Sequence, residues 1–185
     1  MKLLTEDWFW AAIQAAGLLI TLALILRQIR LQTSTHIVQT LEAIHQRWNE
    51  DSMLRARHAV CDRYLKSEHS FDSIGQFITE YMEELGIYLK LQAITPDAMW
   101  DTYSWYIEHY YSMFKNDILR ERIDTQEQHL YENFESLFSQ LEAISSKKGA
   151  PDANRTTVAL RQFAEDEVRR TSSFLKLQSM KGQLT

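Results

Sequence analysis

The sequence predicts an all-α protein: one N-terminal transmembrane helix continuing into a stalk, followed by a cytosolic helical bundle of about five helices. Three observations predict it. Trp8 to Leu26 runs 19 residues without a charge or a proline, enough at about 1.5 Å per residue to cross a hydrocarbon core of about 30 Å. Five glycines and two prolines in 185 residues leave few natural breaks, which favours long helices over a sheet rich in turns. Between those breaks, apolar residues recur at the three- and four-residue spacing of a helix face. The expected organisation is an external tail at 1–7, the membrane helix at 8–27, the bundle at 28–145, a linker at 146–154 and a C-terminal amphipathic helix at 155–185.

The first apolar stretch is apolar all round, whereas a helix of a soluble domain must turn one face to water. Trp8 and Trp10 stand at one end, where indole rings favour the headgroup layer, and Arg27 and Arg30 close the other. Lys2, Glu6 and Asp7 precede the stretch and the two arginines follow it, so the positive-inside rule puts the rest of the chain in the cytoplasm and the N-terminus outside an inner membrane. A cleaved signal peptide needs a basic start and a small-residue cleavage site. Glu6 and Asp7 before the run, and Arg-Gln-Ile-Arg after it, argue against one. Gln14, Gly17 and Thr21 share one face, with Ala11/Ala15 and Ala12/Ala16 as small pairs nearby, a surface on which membrane helices approach and hydrogen-bond one another. The expected partners are therefore the lipid bilayer and further copies of the chain. A polar pore is the bolder form of the same expectation.

No glycine or proline occurs from Leu18 through Trp48, and Ile37, Leu41, Ile44 and Trp48 form a helical stripe, so the membrane helix is expected to continue as a stalk. Asn49 or Asp51 can cap a second helix over 52–66, and Ser70 or Asp72 a third over 73–92, with Ile74, Phe77, Ile78, Tyr81, Leu85, Tyr88 and Leu89 on its inner face. Glu80, Glu83 and Glu84 read as a solvated acidic face. Thr95-Pro96-Asp97 starts a fourth helix, 96–119, by capping hydroxyl, first-turn proline and acid. Its Trp100, Tyr103, Tyr106 or Ile107, Tyr110 and Phe114 share a core face, while Trp105 and Tyr111 point elsewhere, toward a neighbouring subunit or the lipid surface. Asp124 is expected to cap a fifth helix over 125–144. SSKKGAPDAN, residues 145–154, is the one real linker. The last helix has a thin apolar face and should be the least firmly held.

Charge is unevenly spread. Residues 32–145 carry 9 Lys+Arg against 19 Asp+Glu, a net of −10; residues 146–185 carry 8 against 4, a net of +4. An acidic body is a poor platform for nucleic acid, whose phosphates need positive surface. The basic end could lie on anionic lipid or on the acidic body, or meet a protein partner. The single cysteine, Cys61, excludes an internal disulfide.

There is no phosphate-binding or dinucleotide glycine motif, no HExxH and no zinc-type cysteine pair, so neither a cofactor nor a metal is expected. Glu42-Ala43-Ile44-His45 matches half of a di-iron signature, but no second copy exists. The Arg-x(4–6)-His spacing of metal-independent helical ribonucleases, in which Arg steadies the phosphate and His moves protons, fits Arg30/His36, Arg63/His69 and Arg122/His129. Arg122 and His129 are the best candidate catalytic pair, because they fall at a helix junction. Ile123, however, stands where a polar residue usually follows the arginine. Surface Arg and His at a helix end is the plainer reading.

The anchor-plus-arginine opening, Arg47-Trp48-Asn49, Tyr81-Met82-Glu83-Glu84-Leu85-Gly86, the aromatic run Trp100 to Tyr111 and Tyr131-Glu132-Asn133-Phe134-Glu135 resemble a bacterial family of unknown function with an N-terminal membrane anchor and a cytosolic all-helical domain. The likeness spans roughly residues 8–145 and implies architecture without a catalytic assignment. The layout, with the Arg122/His129 spacing, is also similar to that of membrane-anchored accessory proteins of RNA-targeting CRISPR systems, which join a membrane helix to a divergent HEPN-like bundle and assemble as pores. That likeness implies an accessory or effector role in stress or phage defence.

Overall fold

A computed structural model describes residues 7–68, 71–149 and 156–182. They form six α-helices: α1 (Asp7–Trp48), α2 (Asp51–Leu65), α3 (Ser73–Lys90), α4 (Pro96–Thr125), α5 (Glu132–Lys147) and α6 (Thr157–Gly182). The chain divides into two units, Met1–Thr40 and Leu41–Thr185. In the first, α1 is an uninterrupted helix from Asp7 onward, as the absence of proline, and of glycine after Gly17, predicts.

The second unit holds the end of α1 and the other five helices around an aromatic centre. Trp48, 2% exposed, lies parallel to Tyr81 at 5.3 Å and meets Tyr103, Tyr106 and Tyr110 edge-on. Edge-on and offset pairs of this kind add to what burial alone contributes. Tyr81 also donates its hydroxyl to the Ile44 carbonyl, and Arg47 pairs with Glu84, so the last turns of α1 are fastened to α3.

Local capping is visible where it was expected at two helix starts. Asp72 accepts from the N–H groups of Ile74 and Gly75, and Thr95 from that of Ala98, with Pro96 in the first turn. Burial opposes ionisation of Asp72, but the Arg63 ion pair and the two N–H groups hold its carboxyl below the usual range. Ser70, the other candidate cap, lies outside the described residues. Neither Asn49 nor Asp51 caps α2: Glu50 is at the cap position without a side-chain bond, while Asn49 turns back to His45 and Asp51 pairs with Arg55.

Other expectations also fail, among them the solvated acidic face, since Glu83 and Glu84 are both engaged by other helices. The fourth helix runs on to Thr125 rather than ending at 119, and the fifth begins at Glu132 rather than 125, so Asp124 lies inside α4 and caps nothing. The cap comes from elsewhere: Glu83 of α3 accepts from the N–H of Asn133 (3.2 Å), the Asn133 side-chain amide (2.6 Å) and the N–H of Phe134 (2.7 Å). Gly86, one turn on, lets the backbones close. A Cβ there would stand 2.5 Å from the Asn133 carbonyl carbon and nearer still to its oxygen.

Trp105 and Tyr111 do not turn away from the bundle. Tyr111 stacks on Phe138 of α5 at 4.2 Å and Trp105 meets Phe163 of α6 at 5.0 Å, because α4 is flanked by α5 on one side and α6 on another. Nor is α6 loosely attached. It lies along α2 and against α4, with Phe163, Ala164, Glu167 and Thr171 all at most 1% exposed.

Candidate functional site

Two places concentrate functional potential: the apolar helix of the first unit, and a buried polar centre between α2 and α6 in the second.

Trp8–Gln28 is 21 residues long, apolar enough to cross a membrane, and has none of its apolar window buried. Trp8 and Trp10 at its start are 58% and 53% exposed. Arg27 is exposed near its end; the Arg30 side chain lies outside the described residues, although its backbone belongs to α1. Gln14, Gly17 and Thr21 all lie on the exposed surface of the helix. Thr21 donates its hydroxyl to the Gly17 carbonyl at 2.8 Å, a bond that satisfies it within its own helix. Space around Gly17 is open. The Gln14 amide meets no partner among the described residues.

In the bundle, Arg57 of α2 (3% exposed) and Glu167 of α6 (0%) form a buried ion pair. The guanidinium donates also to the Trp48 carbonyl at 2.9 Å and lies over the Trp48 ring, 4.1 Å from its centroid. One Glu167 oxygen, Oε2, is buried without a hydrogen-bond partner among the described residues, as are Trp48 Nε1 and Tyr103 Oη. The centre therefore holds charge that is paired but not fully satisfied. His58 Nδ1 lies 3.0 Å from the Thr171 hydroxyl on the same seam. Cys61 and Tyr110 complete the floor, 3.7 Å apart. Burial, reinforced by the Glu167 charge, pushes the Cys61 thiol up to about 12, so it stays protonated and inert as a nucleophile.

His109 of α4 borders this seam. It is 2% exposed, donates from Nδ1 to the Trp105 carbonyl at 2.6 Å, and lies flat on Phe163 at 4.6 Å. Burial holds its pKa below the ordinary value of 6.5, although the Trp105 bond and Glu108 pull the other way. The unfolded chain thus takes up this proton more readily than the folded one. The stabilisation is whole above about pH 6.5 and declines as the pH falls from there through the folded-state value. Acidification from pH 7.5 to 5 should therefore lower the thermal midpoint of the native chain more than that of His109→Phe. Equal declines in the two would show that the histidine is not responsible.

Arg122 and His129 are near one another in the chain but occupied differently. Arg122 donates to the Leu130 carbonyl at 2.8 Å and pairs with Glu135 at 2.9 Å, which ties the end of α4 to α5. His129, 88% exposed at its side chain, pairs with Glu132 at 2.9 Å and borders a hollow of about 640 Å³ whose carboxylates are Glu83 and Glu127. Two of the Arg122 donors are therefore taken by Leu130 and Glu135, and the carboxylates of the hollow beside His129 disfavour a phosphate there. Arg63 is committed to Asp72, while the His36 side chain and His69 lie outside the described residues. Among the described residues no three His, Cys, Asp or Glu side chains gather to hold a metal ion.

No protein family, curated protein or solved structure matches the chain. The functional reading accordingly rests on the residues themselves. Arg57 and Glu167 went unnoticed in the sequence because they are 110 residues apart. The one available signal is a carboxylate on the same stripe of α6 as Leu160, Phe163 and Ala164.

Proposed function

We propose that the chain is a single-pass inner-membrane protein, N-terminus outside, whose cytoplasmic helical bundle is an interaction and oligomerisation module. The observation that carries the reading is Trp8–Gln28, a membrane-length apolar helix with no residue of its apolar window buried and, midway along it, the Gln14 amide, which meets no partner among the described residues. In hydrocarbon such an amide gains by meeting another helix, by about 1 kcal/mol in favourable cases, and Gly17 one turn away allows close approach. Arg27 and Arg30 at the far end support the orientation.

The chain should sediment with membranes and resist carbonate extraction, and recovery in the soluble fraction would overturn the anchor. Replacing both Gln14 and Gly17 by leucine should reduce the oligomer seen in mild detergent several-fold. An unchanged oligomer would remove these two residues from the contact, and a monomeric native chain in detergent and in cells would remove self-association itself.

A further inference from the structure

The inner stripe of α6 outlasts the surface it packs on. Leu160, Phe163, Glu167 and Thr171 follow one another along it, and all are buried. Phe174, the next residue at that spacing, is 51% exposed, and Leu175 beside it is half-buried. Contacts with α2 show where this happens. Arg161 stands by Tyr64 near the end of α2, while Thr171 meets His58 at its middle. The two helices therefore run antiparallel, and the last turns of α6 pass the start of α2, next to Trp48, where α1 ends. Phe174 thus emerges at the end of the bundle that α1 joins. Charge changes along the same helix. Glu165, Asp166 and Glu167 are its last acids, and residues 168–185 hold Arg169, Arg170, Lys176 and Lys181 with no Asp or Glu. A large apolar ring in water among cations suits a helix lying in the headgroup layer, where Phe and Leu enter the acyl boundary and Lys and Arg meet anionic lipid.

We propose that the last turns of α6 are a second membrane contact, laid on the anionic headgroups of the membrane that α1 enters, with Phe174 as the apolar wedge. The acidic residues of the bundle leave Phe174 in water, and cations opposite lipid phosphate and carboxylate are the complementary pairing. The inference rests on the membrane-anchor reading, which supplies the membrane. A basic amphipathic segment of this length holds a bilayer weakly by itself, but a chain already anchored meets the surface at high effective concentration. The contact then follows lipid charge: made on an anionic surface, released from a neutral one.

The test uses the full chain reconstituted into phosphatidylcholine vesicles with or without phosphatidylserine. An environment-sensitive fluorophore is attached at Ser173→Cys, an exposed position, while the native Cys61 is buried and stays unlabelled. With phosphatidylserine present the emission should move to the blue and be quenched by lipid spin-labelled near the headgroup. In phosphatidylcholine alone it should remain that of a probe in water. Salt at about 1 M, which shortens the screening length to about 3 Å, should reverse most of the shift. Lys176→Glu combined with Lys181→Glu should weaken the quenching by about tenfold or more. Phe174→Ser should weaken it as well and leave the thermal midpoint of the bundle unchanged, because the ring is outside the core. Emission sheltered equally in neutral vesicles or in detergent would mean that protein covers the stripe, and would overturn the proposal. So would water-like emission on both kinds of vesicle from a chain that resists carbonate extraction. A chain that carbonate removes from the vesicles would overturn the anchor itself, and this contact with it.

Discussion

Replacing Arg57 by methionine should lower the stability of the bundle by about 3–5 kcal/mol, because it strands Glu167 as an uncompensated charge in the interior. For a unit of this size that corresponds to a fall of roughly 10 °C in the thermal midpoint. The same substitution removes the cation lying over Trp48 and its bond to the Trp48 carbonyl, so tryptophan fluorescence is a direct readout. The companion result is more discriminating. Replacing Arg57 and Glu167 together by apolar residues of similar volume should recover most of the loss, since a dry seam avoids the desolvation of both ions. Two losses that simply add would mean that the pair is not coupled, and the account of the α2–α6 seam given above would fail.

Gly86→Ala should destabilise the bundle by about 3 kcal/mol, the upper range for forcing extra volume into a packed contact. The sign is the informative part. Glycine to alanine within a helix ordinarily gains up to about 1 kcal/mol from propensity, and Gly17→Ala, with open space around it, should behave in that way as far as local packing decides. At Gly86 the added carbon runs into backbone, the Asn133 carbonyl, and backbone cannot rotate aside as a flexible side chain can. The start of α5 would have to withdraw from α3, taking Asn133 and Phe134 away from the Glu83 carboxylate. Denaturant titration should show a lowered midpoint in Gly86→Ala and a smaller fall in Glu83→Gln, which keeps one acceptor oxygen but loses the charge and the second acceptor. A stability equal to the native one in Gly86→Ala would show that the two backbones are further apart than described.

These two sites mark the boundary of what the sequence could reveal. The all-helical class, the apolar helix, the inner face of α3 and the caps at Asp72 and Thr95 are local facts: spacing, propensity and a hydroxyl or carboxylate two or three residues from its target. The start of α5 lies seven residues beyond the expected 125 because its acceptor arrives from Glu83, some fifty positions earlier. Tyr81-Met82-Glu83-Glu84-Leu85-Gly86 and Tyr131-Glu132-Asn133-Phe134-Glu135 could each be singled out, yet nothing in either string says that they meet. Likewise α6 looked thinly apolar because a charged residue on its inner stripe counts against burial until its counter-ion is known. Arg122 and His129 illustrate the reverse: the spacing is legible, but not that Arg122 ties α4 to α5 while His129 pairs locally with Glu132.

The Glu83 cap has one more consequence. The carboxylate that caps the start of α5 comes from across the bundle, while the turn at 126–131 supplies the covalent path between α4 and α5 and the Leu130 carbonyl that Arg122 holds. Opening the peptide backbone in that turn would leave two fragments still bound side by side. New termini placed there, by circular permutation or a split reporter, would sit at the edge of the bundle and leave its centre undisturbed.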